Sequence, residues 1–201
     1  MKKSFCFLLI AGLFTLGSCG GGTTGTNSDS VDSAKDINEQ KDTSGMMPSN
    51  DTAAITTPVD KDAADFAVET ASSGMMEIEL GKMAQEKASS QRVKDFGAMM
   101  VRDHTEAANK LKQIASNKNI TLPAQMGDKE MKHVEDLSKK TGKDFDKAFM
   151  DMMLDDHKAA IKDFENTADK CKDPDLKSFA MQTLPTLQVH LDSAKAITGK
   201  K

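Results

Sequence analysis

The sequence predicts an all-α protein, built from four long helices and one short one. Three observations carry this prediction. From Asp60 onward the chain is rich in Ala, Lys, Glu, Met and Leu, with few Gly or Pro and no Trp or Tyr. Apolar residues recur there every three to four positions, the spacing of one helical face. No stretch alternates with period two for more than a few residues, which excludes strands.

The first sixty residues are different in kind. Lys2 and Lys3 precede an apolar run from Phe5 to Leu16. That run is too short to span a bilayer core of roughly 30 Å but suits the centre of a signal peptide. It ends in Leu16-Gly17-Ser18-Cys19, which resembles the lipobox of bacterial lipoproteins. The resemblance implies removal of residues 1–18 and lipidation of Cys19. Residues 19–60 are then a lipidated cysteine and a tether rich in Gly, Ser, Thr, Asp and Asn, expected to be disordered because it has little apolar surface to bury. Such a coil spans roughly 35 Å, at about 5–6 Å × √n.

Removing residues 1–18 takes away two basic residues and no acidic one, moving the net charge from −4 to −6. An acidic domain lacks the electrostatic footprint for nucleic acid, so none is expected as a partner. The membrane is expected as a partner through the lipid anchor alone. Cys6 leaves with the signal peptide, so Cys171 is the one free thiol and an internal disulfide is excluded.

The remainder, 61–201, is of a size for one domain. Helices are expected at about 61–88, 90–118, 128–140, 143–171 and 174–198. Asp173-Pro174 suits a break with Pro in the first turn of the last helix. Pro185 lies inside that helix and is expected to kink it or end its first half. An internal repeat links the second and fourth of these helices. Phe96-x-x-Met99-Met100-Val101-x-Asp103-His104 recurs as Phe149-x-x-Met152-Met153-Leu154-x-Asp156-His157. Between the copies lie Asn119 to Gly142, long enough to run back along the bundle and leave the repeated helices parallel. The expectation is therefore a ferritin-like four-helix bundle with one long crossover containing a short extra helix.

Several motifs also resemble a family. They are Met76-Glu77-Ile78-Glu79-Leu80-Gly81, Met100-Val101-Arg102-Asp103-His104, Phe145-Asp146 and Leu184-Pro185-Thr186-Leu187-x-x-His190-Leu191. In order and spacing they are similar to an uncharacterised family of secreted bacterial proteins, the "predicted outer membrane proteins" of domain-of-unknown-function family 4142. The resemblance implies a ferritin-like bundle in the cell envelope, the outer membrane included, facing the periplasm or the cell surface. It supplies no activity.

The candidate chemistry lies in the histidines. On a helical wheel His104, His157 and His190 each fall within the apolar arc of a long helix, whereas His133 belongs to the short crossover helix. On the first long helix Glu79 sits among Met75, Met76, Ile78 and Met83, and is taken as that helix's inward ligand. Met100 and Met153, one turn before their histidines, would add thioethers on the same face. The candidate metal set is thus His104, His157, His190, Glu79, Met100 and Met153, supported by Asp103, Asp156 and Glu77. Sulfur with imidazole favours copper, and the bundle shape brings iron into consideration. The paired Glu-x-x-His motifs of di-iron bundles are absent: the single instance, Glu130 to His133, is on the crossover helix. Buried, hydrogen-bonded imidazoles with packing methionines are the structural alternative. No nucleophile–base pattern, phosphate loop or zinc-finger spacing is present. The leading expectation is a non-enzymatic envelope lipoprotein that binds copper or iron between its helices. The rivals are a metal-free module for self-association, an envelope protein partner or a stress-related structural role, and an oxidase-like enzyme drawing carboxylates from Glu77, Glu79, Asp103 and Asp156.

Overall fold

A computed structural model of the chain describes residues 29–44 and 60–200. Cys19 and the expected signal peptide lie outside the described residues. Six helices are present among the described residues: α1 (Ser30–Ser44), α2 (Lys61–Lys87), α3 (Gln91–Asn117), α4 (Asp128–Ser138), α5 (Gly142–Lys170) and α6 (Pro174–Thr198). No strand occurs among the described residues, and no helix there is long and apolar enough to cross a membrane.

The four long helices form the body, with α2 against α3 and α5, and α6 against α3 and α5. Their directions follow from the contacts at their ends. Ala88, just past α2, bridges to Gly142 at the start of α5, and Asp146 accepts hydrogen bonds from the backbone of Ser89 and Ser90. At the far end Lys118, after α3, pairs with Asp173, after α5, at 2.7 Å. The repeated helices α3 and α5 therefore run parallel and α2 and α6 run against them, as the long crossover predicts. Asp60 and Asp173 cap α2 and α6 by accepting from backbone N–H groups of the first turn.

α6 continues through Pro185. Pro185 is exposed, so the carbonyl that loses its helical donor lies on the outer face. The disorder expected over 19–60 does not hold over Ser30–Ser44. That helix is held by polar contacts more than by apolar burial, which is why composition did not reveal it. Asn38 pairs with the backbone of Thr121 in both directions, at 2.9 and 2.7 Å. Lys35 meets Glu69, and Asp29 accepts from the backbone N–H of Asp128 at the start of α4.

At one level α2 and α3 come unusually close. A Cβ on Gly97 would stand 2.6 Å from the carbonyl oxygen of Gly81, and one on Gly81 would stand 2.8 Å from that of Gly97. Only glycine at both positions permits this approach. The core is split along the bundle axis. One apolar cluster, with Leu80, Phe96, Met100, Phe149 and Met153, lies toward Ala88; the other, with Leu111, Phe164, Leu176 and Phe179, lies toward Asp60. A polar layer separates them.

Candidate metal centre

Each long helix contributes one inward ionisable group to that layer: Glu77 from α2, His104 from α3, His157 from α5 and His190 from α6. All four are buried, His157 completely. The three imidazoles form a triangle with ring centroids 5.2, 5.2 and 5.8 Å apart. One ligating atom from each lies within 4.8 Å of the others, close enough for the three to hold a single metal ion.

The hydrogen bonds assign the protons. Nδ1 of His157 lies 2.8 Å from the Met153 carbonyl, which can only accept, so this nitrogen donates. Nε2 of His190 lies 3.0 Å from Asp103 Oδ2. Asp103 is also gripped by Arg102 at 2.7 and 3.0 Å. Burial works to raise Asp103, but Arg102 and His190 outweigh it and hold the carboxyl below its usual range, so Nε2 of His190 donates to a carboxylate. The remaining nitrogens, Nε2 of His157 and Nδ1 of His190, face each other at 3.2 Å. Both carry lone pairs when the rings are neutral.

The rings are neutral at neutral pH. Burial pushes His157 down to about 4, lowers His190, and holds His104 well below the ordinary histidine range. Glu77 shifts the opposite way for the same reason: burial, with the nearby Asp156 adding to it, pushes its carboxyl up to about 8. Glu77 Oε2 lies 3.0 Å from His104 Nδ1, and Oε1 lies 3.9 Å from His157 Nε2, so the carboxyl contacts His104 and stands beside His157 without bonding it. Nε2 of His104 is buried without a partner among the described residues.

The structure brings His104, His157 and His190 together as the sequence pattern suggests, but it exchanges the two glutamates. Glu79 is half-exposed and pairs with Lys82, while Glu77, expected as a supporting residue, is in the layer. The inward face of α2 carries Val68, Met76 and Leu80 among many small residues, Ala67, Ser72, Gly74, Gly81 and Ala84, which leave little trace in a pattern of large apolar side chains. The larger Met75, Ile78 and Met83 are only partly buried. Met100 and Met153 pack fully buried in the apolar cluster on the Ala88 side. Asp103 supports His190. Asp156 is half-buried with one oxygen unpartnered, and burial raises its carboxyl. A cavity of about 370 Å³ between α2, α4 and α5 reaches both Glu77 and Asp156 and includes Glu130 and His133 in its wall. On the opposite side a groove of about 80 Å³ between α3 and α6 reaches His104 and His190.

Fold and site together define a helical bundle with a histidine-rich polar layer across its core. The chain belongs to the DUF4142 family, described as a domain of unknown function, which matches residues 48–197. Among solved structures it is similar to a DUF305 fragment from Deinococcus radiodurans, with a TM-score of 0.62 and 13% identity over 71% of this chain and 98% of that one. Identity that low shows a shared fold and nothing of activity. No curated relative matches the chain.

Proposed function

We propose that the domain is a metal-binding module that holds one copper or iron ion at His104, His157, His190 and Glu77. The observation that carries this reading is the 3.2 Å approach of Nε2 of His157 to Nδ1 of His190. Each nitrogen has its lone pair directed inward because the other nitrogen of its ring is committed to an acceptor. Two lone pairs at that distance repel, and a proton placed between them would have to reside on an imidazole whose burial opposes charge. A metal cation relieves the repulsion. For bonds of about 2.0–2.1 Å, two tetrahedral nitrogen ligands sit about 3.3 Å apart. The Met153 carbonyl and Asp103 act behind the rings as outer partners commonly do in metal sites, fixing tautomer and orientation. Three imidazoles and a carboxylate suit copper(II), iron(II) or zinc, and among divalent ions copper(II) should bind tightest in vitro.

The test is a thermal melt of the full chain, purified without a histidine tag, with chelator and then with each metal. A hundredfold excess over Kd should stabilise the protein by about 2.7 kcal/mol. Replacing His157 by Ala should abolish that shift, and the three single His→Ala losses should be non-additive because they share one ion. Equal melts with and without every metal would leave the histidines as structural groups.

The sequence before the folded domain supports an exported lipoprotein, anchored at Cys19, with the bundle held in the envelope. Cys19→Ser should release the protein in soluble form. Retention of that variant in the membrane fraction after a high-salt wash would refute the anchor.

A further inference from the structure

Beside the polar layer lies a second, smaller space. It is a chamber of about 40 Å³ walled by all four long helices, with His104 and Glu77 at one side and Leu111, Phe164, Phe179 and Leu187 at the other. At about 10–15 Å³ per water it has room for a molecule of two or three atoms. Two of its three hydroxyls are turned elsewhere: Thr183 donates to the Phe179 carbonyl at 2.8 Å and Ser73 to that of Thr70 at 3.4 Å, while Thr70 itself also lines the wall. Among the described residues, the buried wall atom without a partner belongs to His104. Its Nδ1 faces Glu77, and its buried Nε2 has no partner.

Gly74 gives the second observation. It is buried in the middle of α2, where glycine costs about 1 kcal/mol relative to alanine. At Gly97 a steric reason exists; at Gly74 there is none, since a Cβ there would meet no atom within 4 Å. The missing methyl leaves open the wall of the chamber.

We propose that this chamber binds a small apolar molecule of the dioxygen class next to His104. Its function as an exogenous ligand of the metal rests on the reading above, but its occupancy does not. The walls favour low polarity, the volume limits the guest to a few atoms, and His104 joins the chamber to the histidine cluster.

The experiment is NMR of the metal-free full chain under dioxygen pressure, in which the paramagnetic gas speeds relaxation of nearby methyl groups. Leu111 and Leu187 border the chamber, while Leu80 and Leu154 are as deeply buried in the other cluster. The first pair should relax several-fold faster than the second. Gly74→Ala, whose methyl has free space to occupy, should fold and reduce the excess, and Gly74→Leu should remove it. Equal relaxation of the two pairs in the wild type, or an excess unchanged in Gly74→Ala, overturns the proposal. Uniform relaxation in a chain that binds metal overturns the chamber and leaves the metal centre standing. An excess in a chain that binds no metal supports the chamber and overturns the metal centre.

Discussion

Glu77 offers the sharpest test of the centre, because its protonation separates a ligand from a bystander. In the metal-free protein its carboxyl is pushed up to about 8, so at pH 7 it carries a proton. The three histidines are shifted downward and are already neutral there. Metal binding through Glu77 must therefore expel one proton, and imidazole ligation must expel none. At pH 7 about nine-tenths of a proton should be released per ion, falling to about half at pH 8. Affinity should rise nearly tenfold per pH unit below about pH 7, by about 16-fold from pH 6.5 to pH 8, and level off about 30-fold above its pH 6.5 value. Calorimetric titration in buffers of different ionisation enthalpy counts the proton directly. Glu77→Gln should abolish the release and flatten the profile. The stability of the metal-free protein supplies the companion sign. A carboxyl raised on folding stabilises fully below its unfolded value of 4.5, and that contribution is lost as pH rises to about 8. The variant should thus gain on the wild type over that window, by on the order of 3–5 kcal/mol at its top. Metal binding at pH 7 without proton release would refute the role of Glu77, and with it the four-ligand centre.

Two further predictions concern the frame around the site. Gly97→Ala gains about 1 kcal/mol in helix propensity but places a methyl 2.6 Å from the Gly81 carbonyl oxygen and 2.7 Å from Cβ of Ala84. Overpacking of this kind costs about 1–3 kcal/mol and the obstacle is backbone, so a net loss of about 1–2 kcal/mol is expected; an unchanged or raised urea midpoint would contradict the close crossing. Asn38→Ala removes both hydrogen bonds to Thr121 and should cost about 1–3 kcal/mol locally. Hydrogen exchange should then quicken in α1 while metal affinity stays unchanged, and full protection of α1 would show that the latch lies elsewhere.

The long helices and their directions were legible because the evidence for them is periodic and local. Asp173-Pro174 marks a boundary chemically, and the Phe96–His104 repeat, read with the length of the crossover, gives the parallel placement of α3 and α5. The three inward histidines followed from the same arcs. What escaped were features that depend on small or polar residues. The buried face of α2 is largely written in Ala, Ser and Gly beside Val68, Met76 and Leu80, so the partly buried Met75, Ile78 and Met83 drew the reading toward Glu79, two residues from the group that is buried. α1 was hidden for a related reason: Asn38 and Asp29 bind it to backbone atoms that are distant in sequence, and hydropathy carries no trace of such bonds. The methionines were correctly placed inside, but helical spacing alone could not distinguish a turn facing the polar layer from a turn facing the apolar cluster.

The repeat also shows how one sequence motif acquires two electrostatic roles. Asp103 and Asp156 occupy equivalent positions, each just before an inward histidine. α3 lies against α6, and there Asp103 meets His190 and, held by Arg102, remains ionised as an acceptor. α5 lies against α2, and there Asp156 raises the buried carboxyl of Glu77 while its own carboxyl is raised by burial. One side of the layer is thus charge-balanced by an arginine and its aspartate. The other holds Glu77, which burial keeps protonated at pH 7, and Asp156, whose carboxyl burial raises, beside the cavity between α2, α4 and α5. Purely structural histidines would be expected to pair donor with acceptor around the whole layer. Here the acceptors outside the rings use up the N–H groups of His157 and His190, leaving lone pairs inside and an exchangeable proton on Glu77. That asymmetry is the arrangement a cation requires, since it can replace a proton at Glu77 and satisfy the facing nitrogens in the same step.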